Sequence, residues 1–470
     1  MTEPLWTARE ALAATGGILS NGTDWVAQGV SIDTRSLKPN DLFVVLKDQR
    51  DGHEFVPDAM ARGAVSALVE SERCGPGPHL VVPDALEGLR ALARAARERS
   101  HAVRVAVTGS VGKTSVKEAL AAVFRSVGRA HWSEKSYNNH WGVPLTLARM
   151  PRGTERAVFE MGMNHAGEIR ELTTLVRPHV ALVTRIGPAH LEHLGSMEAI
   201  ADAKGEIFEG LMPDGVALYP ADDPYAERLS SHAKQTAAGF LLDFGATAGS
   251  AVCVTQFESD AGGSRGRVSV LGKEVRFAIS AVGDHWAWNA AAIFAAGIAS
   301  GIDAEQVADA LATVAPEQGR GKAAQITFPD GSFTLLDDSY NANPVSMRAG
   351  ISVLAATAPQ RGGRRVAVLG EMLELGPEAA RLHAGLADAL VSAEVDAVVL
   401  CGKLMKHLHD ALPAGIETIY ALDATAALGA LAETLNDGDV VLIKGSNASG
   451  VHRIARALSE GTAFGQGKDF

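Results

Sequence analysis

Hydrophobic positions along the 470-residue chain alternate between the two-residue rhythm of strands and the longer rhythm of helices. The sharpest change of rhythm lies early in the middle third. Val103, Val105 and Val107 alternate with smaller or polar neighbours and predict a short buried strand. Thr108-Gly109-Ser110-Val111-Gly112 follows as a tight loop of small residues. After Lys113, Thr114 and Ser115, the residues Val116, Leu120, Val123 and Phe124 recur at helical spacing. Upstream, the pattern predicts strands at Asp41–Leu46 and Ala64–Val69, a short helix at Phe55–Arg62, and a longer one at Asp84–Arg99 whose first residue can cap it. Downstream it predicts a strand at Arg156–Phe159 ending in Glu160, a strand at Val180–Thr184, a helix at Ser196–Leu211, and an Ala-rich helix opened by Gly283–Asn289.

The last third alternates regularly. Strands are expected at Thr334–Leu336, Arg365–Leu369, Asp396–Leu400, Thr418–Ala421 and Asp439–Ile443, with helices such as Val345–Ala356 and Glu378–Val391 between them. That order predicts a mainly parallel, doubly wound sheet. The charged run Arg97–Ser100 and the Gly-containing stretch Pro316–Gly321 divide the α/β chain into three expected domains, 1–100, 101–315 and 316–470.

Composition narrows the function. A net charge of −12 without a basic tract argues against nucleic-acid binding, so an anionic ligand must be held by a local site. Cys74, Cys253 and Cys401 are far apart and read as buried thiols in a reducing compartment. The N-terminus has no signal-peptide pattern. The most apolar stretch, Ala287–Ile302, is broken by Asn289, Gly297 and Ser300 and is too short to span a bilayer. A soluble cytoplasmic protein with no membrane insertion is expected.

The candidate chemistry centres on the small-residue loop. Strand, Gly loop, Lys-Thr and helix make a cradle for nucleotide phosphates: Gly109, Ser110 and Gly112 let backbone N–H groups turn inward, Lys113 neutralises charge, and Thr114 supplies a hydroxyl to Mg²⁺. Val107 stands where the longer consensus has its first Gly, so the pattern is a short form. Glu160 and His190 follow two other strands, at the edge where open α/β sheets bind ligands. Other polar positions stay open. Asn138 and Asn139 either present amides to a ligand or shape a turn, and the polar stretch Ser31–Ser36 is either a binding face or a hydrogen-bonded turn. Asn289 either meets a base or stabilises a helix start. By its residue type and helical setting alone, Lys204 reads as a solvated surface charge.

Together these stretches resemble the Mur ligase family, ATP-dependent amide ligases of peptidoglycan assembly, over nearly the whole chain and in the right order. The resemblance implies three domains: an N-terminal UDP-sugar-binding domain, a central P-loop-type mononucleotide-binding domain, and a C-terminal Rossmann-like doubly wound domain. It implies that Gly109, Ser110, Gly112, Lys113, Thr114 and Ser115 hold ATP, with Asn289 at the adenine, Arg320 at the γ-phosphate and Asp338 at the ribose. Two Mg²⁺ ions are implied, one through Thr114 and Glu160, the other near His190 and Lys204, and Lys204 is implied to carry a carbamate. Lys113, His190 and Lys204 are thereby the implied catalytic set.

Within the family, Ser136–Thr146, Glu160–Ile169 and Asp337–Pro344 resemble the member that adds D-alanyl-D-alanine to UDP-N-acetylmuramoyl-tripeptide through an acyl phosphate. Thr34, Arg35, Ser36, Asn138 and Asn139 are then expected to meet substrate, and a monomer is expected. MurE, which acts one step earlier, would carry Ser-Ser-His after the metal glutamate and Asp-Asn-Pro-Arg in the last domain, and neither is present. Folylpolyglutamate synthetase is a further alternative. A nucleotide-binding protein without chemistry would lack Glu160, His190 or Lys204.

Overall fold

The structure, a computed structural model, describes residues 3–71, 75, 77–260 and 262–464. Its centre is a nine-stranded sheet in which Val103–Thr108 lies between Arg156–Glu160 and Val180–Val183. These strands run parallel, with Glu160 level with Val107 and Val183 level with Thr108, so their C-terminal ends finish side by side. The chain crosses from Val103–Thr108 to one side of the sheet and later returns to the other. The loop after that strand therefore sits at a topological switch point, where such sheets leave a crevice. Burial on both faces explains the run of valines and alanines in these strands.

Beyond Phe240–Gly245 the sheet is extended by Val252–Asp260, Gly263–Val270 and Lys273–Ile279, the last three joined in antiparallel fashion. The helices Lys113–Val127 and Trp286–Ala299 pack on one face through Leu120, Phe124, Ile293 and Phe294, all inaccessible to solvent. The helix expected at Ser196–Leu211 is an α-helix only over Met197–Gly205. It tightens to a 3₁₀ turn at Glu206–Gly210, whose Glu206 carboxylate accepts from the backbone N–H of Gly167 and Arg170.

The first hundred residues build a five-stranded sheet in the order Ile18–Ser20, His79–Val81, Ser66–Val69, Asp41–Val44, Gly29–Ser31. Helix Ala85–Glu98, capped by Asp84, packs against helix Gly142–Ala148 of the central unit. One continuous apolar core runs from Leu5 and Trp6 through Leu92 to Phe159 and Phe208. Trp6 Nε1 donates to Ala148 O at 3.0 Å, and Arg149 Nε donates to Val30 O at 2.6 Å. The Arg99 guanidinium lies 3.9 Å over the Trp6 ring.

The third sheet has the order Lys322–Phe328, Gly331–Asp338, Val440–Lys444, Arg365–Gly370, Ala397–Cys401, Glu417–Ala421, parallel except for its first pair. Helices cover both faces over two separate cores. The expected helix Glu378–Val391 is interrupted at Gly385–Leu386, leaving helices Ala379–Ala384 and Ala387–Ser392. Cys253 and Cys401 are buried free thiols, and Cys74 lies outside the described residues.

Candidate functional site

The loop that follows Val103–Thr108 is built for close approach. Gly109 has φ +148°, and a Cβ there would lie 1.9 Å from Thr184 Oγ1; Gly112 has φ +84°, and a Cβ there would lie 2.7 Å from Asn289 Oδ1. Thr184 Oγ1 is locked in place, donating to Val111 O at 2.6 Å and Thr108 O at 3.1 Å. Ser110 donates to Gly187 O at 2.8 Å, and Lys113 Nζ folds back to Gly109 O at 2.5 Å. Helix Lys113–Val127 begins at this point, so its N-terminal N–H groups face the same space.

Facing the loop is a cavity of about 540 Å³ between the central and third sheets. Its walls include Lys113, Thr114, Glu160, His190, Arg320 and Asp338. Thr114 Oγ1 donates to Glu160 Oε2 at 2.8 Å, and Asn138 Nδ2 donates to Glu160 Oε1 at 2.8 Å. A hydroxyl and a carboxylate oxygen, side by side at the end of a phosphate loop, form the hard-oxygen donor set that suits Mg²⁺. Burial, opposed by Glu160 and assisted by Arg320, lowers the Lys113 ammonium pKa. Arg320 stacks 4.2 Å over Tyr340 and donates to Ser136 Oγ at 3.2 Å, joining the segment before the third sheet to the central unit.

The other expected site residues fall in three places. Ser110, Gly112, Ser115, Asn139 and Asn289 line the same cavity. Asn139 Oδ1 also accepts from Gly142 N at 2.9 Å, shaping its own turn, whereas the side chain of Asn138 enters the site. Lys204 is 1 % exposed, which overturns its reading as a surface charge. It does not line the cavity wall. Burial in the first place, and the Lys113 charge in the second, hold its pKa well below 10.5, and no carboxylate among the described residues pairs with it. Thr34, Arg35 and Ser36 stand apart, in a turn where Arg35 pairs with Asp33. The Asp33 carboxyl is lowered chiefly by its hydrogen bonds from Arg35 and in small part by the charge of Lys135, which adjoins Ser136.

Several residues at the site make contacts that the local sequence does not announce. Asp338 Oδ2 accepts from the buried Lys444 Nζ at 2.6 Å across neighbouring strands, leaving Oδ1 for another partner. Asn343, the N-cap of helix Pro344–Ala356, donates to Ser110 O at 3.3 Å, so the third unit touches the phosphate loop directly. Arg185 lies 4.5 Å over Trp288, and His285, with a buried Nδ1 lacking a partner, is pushed down to about 4 by burial and then by Lys444. His190 adopts φ 60° and sets Nδ1 2.5 Å from Glu374 Oε2 of the third unit, a contact that lowers the Glu374 carboxyl.

The glycine cradle, the cationic Lys113 and the orphaned His285 nitrogen fit a nucleoside triphosphate, and the Thr114–Glu160 pair fits its Mg²⁺. Residues 107–297 match the family description "Mur ligase middle domain", and residues 324–447 match "Mur ligase, glutamate ligase domain". Two relatives named UDP-N-acetylmuramoyl-tripeptide–D-alanyl-D-alanine ligase are similar over their length. That of Escherichia coli (strain K12) is 35 % identical, covering 93 % of this chain and 95 % of its own. That of Bacillus subtilis (strain 168) is 33 % identical, covering 93 % and 94 %. Among solved structures, MurF from Acinetobacter baumannii superposes with a TM-score of 0.84 at 29 % identity, covering 97 % of this chain and 99 % of its own.

Proposed function

The chain belongs to the Mur ligase family, and we propose that the site performs the reaction for which its relatives are named, ATP-dependent addition of D-alanyl-D-alanine to UDP-N-acetylmuramoyl-tripeptide. The observation that carries the reading is the convergence of the glycine cradle, Lys113 and the Thr114–Glu160 pair on one cavity shared with the third unit.

Carboxylate and amine do not condense in water at neutral pH. In the first step a carboxylate oxygen of the tripeptide attacks the γ-phosphorus, the bond to the β-bridging oxygen breaks, and ADP leaves. The acyl phosphate then meets the amine of D-alanyl-D-alanine; the C–N bond forms, phosphate departs and the amine loses a proton. Repulsion between anions and the demand for alignment dominate the first barrier. Lys113 and Arg320 offset the phosphoryl charge, and the stacking of Arg320 on Tyr340 limits where its guanidinium can go. Bound Mg²⁺ supplies further charge neutralisation and a template for the phosphate oxygens. Thr114 and Glu160 are the residues to hold it, and Asn138 keeps the carboxylate turned toward the loop.

Lys204 is read as the carbamate-bearing residue. A lysine amine adds CO₂ only when neutral, forming an N–C bond and releasing a proton, and burial beside Lys113 favours that neutral form. The product replaces a neutral amine with an anion bearing two hard oxygens, and with His190 it would be the donor to a second Mg²⁺. Asn289 and Asp338 are assigned to the adenine and ribose, and the Thr34–Ser36 turn to the uridine-nucleotide end. No helix among the described residues is long and apolar enough to cross a membrane. The reading is of a cytoplasmic monomer with domains 1–100, 101–315 and 316–470.

Phosphate release by the purified protein with ATP, Mg²⁺ and UDP-N-acetylmuramoyl-tripeptide tests the reading. Turnover is expected with D-alanyl-D-alanine and not with single amino acids. Turnover with a diamino acid on a shorter nucleotide-peptide, or none with any acceptor, would overturn it.

A further inference from the structure

His190 stands in a turn tied on one side to the phosphate loop, since Ser110 donates to Gly187 O at 2.8 Å and to Arg185 O, through its backbone N–H, at 2.7 Å. On the other side the turn meets Gly370–Gly376, the segment after a strand of the third sheet. Glu192 N donates to Glu374 O at 3.1 Å, and a Cβ on Gly376 would come within 3.2 Å of Glu192 Cα. Both His190 and Glu374 adopt left-handed backbone, at φ 60° and 61°, a conformation that costs a non-glycine residue free energy unless its surroundings impose it.

The surroundings of Glu374 do impose it. Met372 N donates to the buried His383 Nε2 at 2.9 Å, Leu373 N to Ser446 Oγ at 3.1 Å, and Ser446 N to Glu371 O at 2.9 Å. Glu371 Oε1 accepts from Leu404 N at 2.7 Å, while Met372 and Leu375 are sealed in the core. The segment is a rigid arm of the third unit with one carboxylate at its tip. That carboxylate faces His190 Nδ1 at 2.5 Å, off the axis of a well-formed hydrogen bond, and no protein group among the described residues bonds Nε2.

We propose that Glu374 is a positioning residue: its carboxylate holds the proton of His190 on Nδ1 and turns Nε2 toward the cavity, and does so only when the third unit is docked. A histidine that ligates a metal ordinarily donates its other ring N–H to a carboxylate or carbonyl, which fixes its tautomer. Here that carboxylate comes from a different sheet, so the competence of His190 depends on the position of the third unit. This inference rests on the ligase reading above.

The test compares Glu374→Ala and Glu374→Gln in the full chain, with side-chain ¹⁵N NMR of labelled histidine alongside kinetics. Glu374→Ala is expected to lower kcat about 10–100-fold and to raise the Mg²⁺ concentration for half-maximal rate, with little change in KM for ATP. Its His190 resonance moves from the Nδ1–H tautomer toward a mixture. Glu374→Gln, whose amide oxygen still accepts from Nδ1, recovers most of the rate. Unchanged kcat, Mg²⁺ dependence and tautomer in Glu374→Ala would overturn the inference. Absence of ligation by the unsubstituted protein would instead count against the ligase reading, and the NMR comparison would still judge the role of Glu374.

Discussion

The Thr114 hydroxyl donates to Glu160 Oε2 across 2.8 Å, although the residues lie 46 positions apart in the chain. The contact joins the first turn of the phosphate-loop helix to the end of the neighbouring strand. Removing either group takes away one oxygen of the cation-binding pair. Glu160→Ala and Thr114→Val are each expected to lower kcat by about 100-fold or more, since such charge stabilisation amounts to several kcal/mol. Nucleotide titrations with and without Mg²⁺ check this: the substituted proteins should lose most of the Mg²⁺-dependent gain in affinity.

Lys204 costs the fold stability while it remains an unmodified amine. In the unfolded chain it is protonated below 10.5; in the folded chain burial lowers that value, so folding releases a proton between the two. The unfolded state binds more protons in that window, so this group's contribution to stability rises with pH up to the unfolded value. In CO₂-depleted buffer near neutral pH, Lys204→Met is expected to abolish ligation yet raise Tm by about 2–4 °C. The Tm difference should narrow as pH approaches 10. Thermal melts at several pH values read it, and ¹³CO₂ labelling followed by NMR should show a carbamate signal absent from the variant.

Gly109 has no room for a side chain. Thr184 Oγ1, 1.9 Å from the position of an added Cβ, cannot swing away without breaking its bonds to Val111 O and Thr108 O. Gly109→Ala is expected to weaken ATP binding about tenfold or more, with a strain of about 1–3 kcal/mol in the loop. Isothermal titration with ATP, read beside Tm, separates loss of the cradle from loss of the fold.

Trp6 secures the N-terminal unit to the centre. It is 1 % exposed, donates to Ala148 O, and carries the Arg99 guanidinium on its face. The Arg99 nitrogens are buried without hydrogen-bond partners, and burial pushes its pKa down to about 10. Trp6→Ala should cost about 3–5 kcal/mol, checked by urea unfolding. Trp6→Phe, which keeps an aromatic face but loses the N–H, should cost less.

The phosphate loop was legible because its signal is local: alternating valines, small residues, then helical spacing fall within about two dozen positions. Glu160 and His190 could be read because strand ends can be read. Lys204 was hidden, since a lysine in a short helix looks solvated until the packing of Met197–Gly205 is known. Glu374, Lys444 and Asn343 act across sheets, so nothing near them in sequence marks their partners. Lys273–Ile279 and Lys322–Phe328 are edge strands with one exposed face, and of the two Lys273–Ile279 carries the plainer alternation, with Val275, Phe277 and Ile279 buried.

The apolar core that runs unbroken from the N-terminal sheet into one face of the central sheet divides the molecule unevenly. The first two thirds of the chain must lose that core together, whereas the third sheet keeps two cores of its own and meets the rest through polar contacts around the cavity. Heating should therefore break the chain into two cooperative blocks rather than three. Ligands bridging the cavity would draw the two calorimetric transitions together, which makes the merging of those peaks a gauge of how tightly substrate splints the blocks.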